Sequence, residues 1–175
     1  LTGEATAGKS ALVQSFHSDG SHFPKAYSMT TEVEILTKAI AIPDSNDSVE
    51  FLLYDFAGNA AFRDAVEARL DNMGALVLVY DVTQKDSLEA AEAWLTTFAK
   101  LNPTFLGVLV GTKADLTARR EVDEETAVAF AEKHDLQHFT VSAKDSEGIE
   151  DPFAHLAQQL SKVYKEKLAL FEAMA

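Results

Sequence analysis

The chain has 175 residues, 47% of them hydrophobic and 25% charged, and no cysteine. That is the composition of one ordinary globular domain. It excludes disulfides, thiolate metal sites, a cysteine nucleophile and a prenyl or palmitoyl anchor on this chain, and it suits a reducing compartment. Lys and Arg number 15 against 28 Asp and Glu, a net charge of −13, so duplex nucleic acid and anionic membrane surfaces are disfavoured partners. The longest apolar run, residues 74–80, falls far short of the roughly 18 residues of a membrane span.

In chain order, residues 9–17 read as a helix opening straight off a glycine-bearing loop. Residues 33–42 and 49–54 alternate as strands around the turn-forming stretch Pro43-Asp44-Ser45-Asn46-Asp47-Ser48, which predicts a hairpin. Residues 75–81 are almost all apolar, as in a strand buried on both faces. Leu88, Ala91, Leu95 and Phe98 set a helix over 87–100. A buried strand at 105–110, a helix at 123–134, a short strand at 138–141 and a long terminal helix over about 151–174 complete the order. Loop-helix, hairpin and three strand-helix units predict an α/β fold in a single domain, residues 1–175, with a mostly parallel sheet and helices on both faces. Only Leu1-Thr2 precede the glycine loop, where a central strand is called for. That first strand is expected to be largely missing from the sequence.

Gly3-Glu4-Ala5-Thr6-Ala7-Gly8-Lys9-Ser10 matches G-x-x-x-x-G-K-[ST]. The two glycines let backbone fold around phosphate oxygens, and amides from Ala5 to Ala11 point inward at the positive end of a helix. Lys9 would bridge the β- and γ-phosphates, and the Ser10 hydroxyl would ligate Mg²⁺. ATPases, kinases and GTPases share this loop, so the rest of the chain must choose among them.

Thr112-Lys113-Ala114-Asp115 follows an apolar strand, where an [NT]-K-x-D guanine motif belongs. The Asp115 carboxylate can accept from guanine N1–H and N2–H₂, a donor pair that adenine lacks. The Lys113 stem would lie over the purine. Ser142-Ala143-Lys144 ends the last strand, 27 residues beyond Asp115; the Ala143 amide would meet guanine O6 and Lys144 would pack beside the base. Asp55-Phe56-Ala57-Gly58 ends the hairpin, with Asp55 a candidate Mg²⁺ ligand through water and the Gly58 amide aimed at the γ-phosphate. In the segment 23–31, Thr30 is the candidate second Mg²⁺ ligand, with Thr31 one register away, and Phe23 is either an edge-on guanine contact or a core aromatic.

With these motifs in this order, the chain resembles the Rab-like small GTPases over its whole length, from Gly3 to the terminal helix. It is most similar to the Rab-like subunit of the ciliary transport train, through residues 3–10, Tyr27-Ser28-Met29-Thr30 and Ile42-Pro43-Asp44. The resemblance implies a P-loop G domain with a six-stranded, mostly parallel sheet and GTP/GDP with Mg²⁺ as cofactors. It also implies a small β-sandwich intraflagellar transport partner subunit, other transport-train subunits as further partners, and a place in the cytoplasm and the cilium or flagellum. Vesicular Rabs anchor through C-terminal prenylated cysteines; no lipid anchor of that kind is expected here.

Two departures matter. Asn59 stands where the family has the glutamine that orients the attacking water. One methylene shorter, it would fall short by about 1 Å, a displacement that can cost ~10²-fold. Ala60 replaces an acidic neighbour, and Ala5 and Thr6 crowd the space where an arginine would enter. Slow hydrolysis is expected, with Lys9 and Asn59 the residues concerned. Thr112 replaces an asparagine and can make only some of its hydrogen bonds. Competing readings are a non-cycling structural subunit on a GTPase fold, a vesicle-trafficking Rab, and a P-loop kinase or ATPase, the last opposed by Asp115.

Other features read as structural. His134 and His138 flank a helix-to-strand turn with no third ligand near. Asp44, Asp47 and Glu50 read as a solvated turn. Trp94 fits either core or interface. Leu156, Leu160, Tyr164, Leu168 and Phe171 form a stripe roughly 30 Å long on the terminal helix, and its far end is expected to overhang and dock a protein.

Overall fold

A computed structural model describes residues 1–31, 33–71 and 73–174. The elements run α1 (Lys9–His17), β1 (Val33–Ala41), β2 (Ser48–Phe56), α2 (Arg63–Glu67), β3 (Ala75–Asp81), α3 (Lys85–Leu101), β4 (Leu106–Thr112), α4 (Glu124–Lys133), β5 (Gln137–Thr140) and α5 (Asp151–Met174). Short 3₁₀ turns at Ala60–Phe62 and Thr117–Arg119, like α2, have no apolar period long enough to read from the sequence.

Local chemistry explains the boundaries. The hairpin pairs Val33 with Phe56 through to Ala41 with Ser48. Its turn closes where the Ile42 amide donates to the Asp47 carbonyl at 2.9 Å. Helix α4 starts where the Asp123 carboxylate accepts from the Thr126 amide at 2.7 Å, relieving one of the donors a helix N-terminus leaves unpaired. In β3 the two faces feed two cores. Leu76, Leu78 and Tyr80 pack with Leu88, Trp94 and Phe98 of α3. Val77 and Val79 pack with Leu12 and Phe16 of α1 and Phe153 and Leu156 of α5. This alternation, rather than polarity, is what a strand covered on both sides requires. Trp94 is a core residue, buried beneath the Arg63 guanidinium.

The sheet corrects the expectation of six mostly parallel strands. There are two sheets among the described residues: antiparallel β1-β2, and parallel β3-β4-β5. Leu1 and Thr2 lie between them. The Phe56 amide donates to the Leu1 carbonyl at 3.4 Å, the Thr2 amide to Val77 at 3.1 Å, and the Val79 amide to the Thr2 carbonyl at 2.9 Å. Two residues make a bridge but not a strand, so the ladder between β2 and β3 is not continuous.

Helix α5 is buried only in its first half. Leu156 and Ala157 are covered, whereas Tyr164, Leu168, Leu170, Phe171 and Met174 are exposed. Lys165 on the same helix pairs with Asp47 of the hairpin turn at 2.7 Å. The acidic turn is therefore tied to α5.

Candidate functional site

The glycine loop runs from the Leu1-Thr2 bridge into α1. Gly3 lies against the Val79 carbonyl with φ +146°, where a Cβ would collide with that oxygen. Gly8 opens α1 in the left-handed region at φ +88°. Lys9 is buried and curls back over the loop, its Nζ donating to the Gly3 carbonyl at 3.0 Å and the Glu4 carbonyl at 2.8 Å. Burial lowers the Lys9 ammonium to about 8, against the opposing pull of the Asp55 and Glu4 charges. The loop forms one wall of a cavity of about 390 Å³ that also takes in Ala11, Phe23, Thr30, Gly58, Asn59 and Lys113. Ala5, Thr6, Gly8, Lys9 and Ser10 face it, while Gly3 and Glu4 serve it through their carbonyls.

Beside Lys9 three oxygen-bearing side chains meet. The Ser10 and Thr30 hydroxyls are 3.0 Å apart. It is Thr30, the first of the two adjacent threonines, that reaches this position. Asp55, next to last in β2, is only 1% exposed, and neither carboxylate oxygen has a hydrogen-bond partner. Burial raises its carboxyl above the ordinary range; the nearby Ser10 hydroxyl and Lys9 charge offset this in part without reaching bonding geometry. A buried carboxylate without a partner is costly. With two hydroxyls beside it, the donor set is all hard oxygen, which fits Mg²⁺. Gly58 stands directly over Lys9: a Cβ there would run into Nζ and lie 2.6 Å from the Ala5 amide.

A second group of residues follows the ends of β4 and β5, which the parallel register sets side by side. Thr112 is buried, its hydroxyl 2.6 Å from the Ala7 carbonyl and 3.1 Å from that of Tyr80. It ties the phosphate loop to β4. Lys113 has φ +64° and pairs with Asp81, a fully buried carboxylate that also accepts from the Thr83 amide at 2.9 Å and hydroxyl at 2.7 Å. Asp115 accepts from the Ser142 hydroxyl at 2.9 Å and faces the Lys144 ammonium at 3.6 Å. Ala143 is buried, and its carbonyl accepts from the Ser15 hydroxyl of α1 at 3.3 Å. Of these residues Lys113 alone lines the cavity with the phosphate loop; Thr112, Asp115, Ser142, Ala143 and Lys144 stand beyond it. Asp81 escaped the sequence reading, although an acid closing an all-apolar strand was its signal.

Two positions read differently in the structure. Phe23 is 42% exposed on the cavity wall, so it is no core aromatic. Asn59 is engaged at both ends of its amide. Its Oδ1 accepts from the Ala61 amide at 2.9 Å, capping the 3₁₀ turn, and its Nδ2 donates to the Met29 sulfur at 3.6 Å. His138 lies 3.1 Å from the Tyr80 hydroxyl and 3.2 Å from Glu124, whereas His134 faces Glu92.

A family model, the Ras family, matches residues 1–162. The bovine "Intraflagellar transport protein 27 homolog" (Bos taurus) is 42% identical over 99% of this chain and 95% of its own length. Intraflagellar transport protein 27 of Chlamydomonas reinhardtii is 34% identical, over 98% and 87%. The human Ras-related protein Rab-30 is 33% identical, over 91% and 77%.

Proposed function

The chain belongs to the Ras family, and from that premise we propose that it is a Rab-like GTP-binding protein of intraflagellar transport, working in the cytoplasm and the cilium or flagellum, with slow hydrolysis of GTP to GDP. The observation that carries the reading is the buried, unpartnered Asp55 beside the paired Ser10 and Thr30 hydroxyls and the folded-back Lys9. Mg²⁺, when bound there with the nucleotide, supplies positive charge to the polyphosphate. The chain's own residues do the rest. Lys9 exchanges two carbonyls for phosphate oxygens, and the amides of Ala5 to Ala11 cradle them. Thr30 and Gly58 bring the two mobile segments of the family's switch to the γ-phosphate end. Asp115 accepts from guanine N1–H and N2–H₂, held by Ser142, with the Ala143 amide for O6 and Lys144 at the edge of the base. Lys113 and Phe23 flank the purine.

Slow hydrolysis follows from Asn59. Its side chain is one methylene shorter than glutamine and already engaged by Ala61 and Met29, so turning it toward a water gives up those bonds. This favours as second reading a structural subunit that binds nucleotide and barely cycles. The partner is a small β-sandwich intraflagellar transport subunit, with further transport-train subunits behind it. The exposed Leu168, Leu170 and Phe171 on α5 support a protein docking surface there. Removal of the residues beyond Lys165 should abolish partner capture while leaving nucleotide binding intact; capture that persists overturns that surface.

Titration of the nucleotide-free protein with GTP, GDP and ATP in Mg²⁺ tests the central reading. Guanine-selective binding, at least 100-fold over ATP, is expected. Folded protein that takes up no guanine nucleotide would overturn it.

A further inference from the structure

The Asn59 amide makes two bonds in two different segments. Its Oδ1 accepts from the Ala61 amide within its own turn, and its Nδ2 donates to the Met29 sulfur, 30 residues away in sequence. Each partner sits next to a residue of the phosphate site. Met29 precedes Thr30, whose hydroxyl meets Ser10 at 3.0 Å. Asn59 follows Gly58, which lies over Lys9 and the Ala5 amide. Residues 23–30 and Asn59 all line the cavity. The amide thus joins two chain segments that line the same cavity, beside residues of the phosphate site.

We infer that Asn59 is a positioning residue that clips the segment 23–31 across the bound nucleotide, so that it governs how fast nucleotide leaves. This rests on the guanine-nucleotide reading of the cavity. A glutamine at this position would carry its amide one methylene farther, too far to accept from the amide two residues on, since that short-range bond belongs to Asn and Asp. Asparagine therefore trades reach toward water for a fixed turn and a bond to Met29. The Nδ2 to sulfur bond is a weak one, so its effect is modest: a several-fold change in release, not a loss of binding.

The test uses the full chain loaded with fluorescent GDP and chased with unlabelled GDP. Asn59→Ala and Met29→Leu are each expected to speed release about three- to tenfold. Because both remove the same clip, the double variant should be no faster than the quicker single. Unchanged rates, or effects that multiply, overturn the inference. Asn59→Gln should speed release as Asn59→Ala does; release as slow as in the parent overturns the claim that asparagine's reach sets the clip. A parent protein that binds no guanine nucleotide would instead sink the reading of the cavity. Amide hydrogen exchange in the empty protein then decides the clip by itself. Faster exchange at Ser28–Thr30 in Asn59→Ala supports it, and equal exchange refutes it.

Discussion

The two ends of the candidate nucleotide site differ in how their charges are balanced. At the base end each ionisable side chain has a partner within the protein: Asp115 has Ser142 and Lys144, and Lys113 has the buried Asp81. At the phosphate end Asp55 is buried with neither oxygen bonded, and the Ser10 and Thr30 hydroxyls have each other. The base wall is therefore set before ligand arrives, on strand ends and short turns. The phosphate end is left electrostatically incomplete, and on the proposed reading a divalent cation with a polyphosphate would complete it. On the proposed reading, selectivity would come from the settled end and state dependence from the unsettled one, because only the latter gains when a ligand group is added or lost.

The comparison breaks most sharply if one conservative change is made at each end. Asp55→Asn should stabilise the empty protein by about 1–3 kcal/mol, since it removes an unpaired buried charge. It should also weaken Mg²⁺-dependent nucleotide binding by more than tenfold. Asp115→Asn should do the reverse to stability, lowering it by up to about 1 kcal/mol through loss of the Lys144 pairing and the charge on the Ser142 bond. The sign at Asp55 follows from linkage. Its carboxyl is raised above 3.8 in the folded state, so the folded chain holds its proton longer than the unfolded one. Stability therefore falls as pH climbs from the unfolded value through the raised folded one. Urea unfolding of both variants, with and without Mg²⁺, reads the effect. Two changes of the same sign would show that the ends do not differ.

Most of this contrast was legible in the sequence as residue identity, and little of it as balance. The loop from Gly3 to Ser10, Asp55, and the two strand-end motifs were picked out by spacing, as the residue types that phosphate and base contacts would demand. The long elements were legible too, since β3 is apolar throughout and α3 repeats with helical period. The division into a two-stranded and a three-stranded sheet was not, because strand pairing depends on which segments lie side by side and not on their own pattern. Helix α2, five residues long, carries no period to detect. The Lys113 pairing with Asp81 and the Asn59 bond to Met29 were hidden for another reason. They join residues 32 and 30 positions apart, and a single sequence holds no record of such meetings. The departure at Asn59 was visible as a missing methylene; its use as a cap and a bond to Met29 needed coordinates.

A smaller effect sharpens the comparison from inside the phosphate end. Burial lowers Lys9 to about 8 in the empty protein, whereas a polyphosphate against its ammonium would hold it protonated. Binding then takes up a proton whenever the empty site has lost one. Affinity should fall as pH rises, about fourfold between pH 7 and 8.5 for a free-state value near 8. Stability of the empty protein should move the other way. The unfolded chain keeps the Lys9 proton up to its ordinary 10.5, so between about 8 and 10.5 the unfolded state binds more protons and folding gains as pH climbs. Affinity and stability that diverge with pH are the signature of one buried lysine that waits for phosphate. Lys9→Arg removes the titration, because a guanidinium stays charged throughout, and its profile over this range should be flat. A parent profile as flat as that of Lys9→Arg would mean that the ammonium is fully charged before ligand arrives. The phosphate end would then lack only its cation, and the asymmetry between the two ends would rest on Asp55 alone.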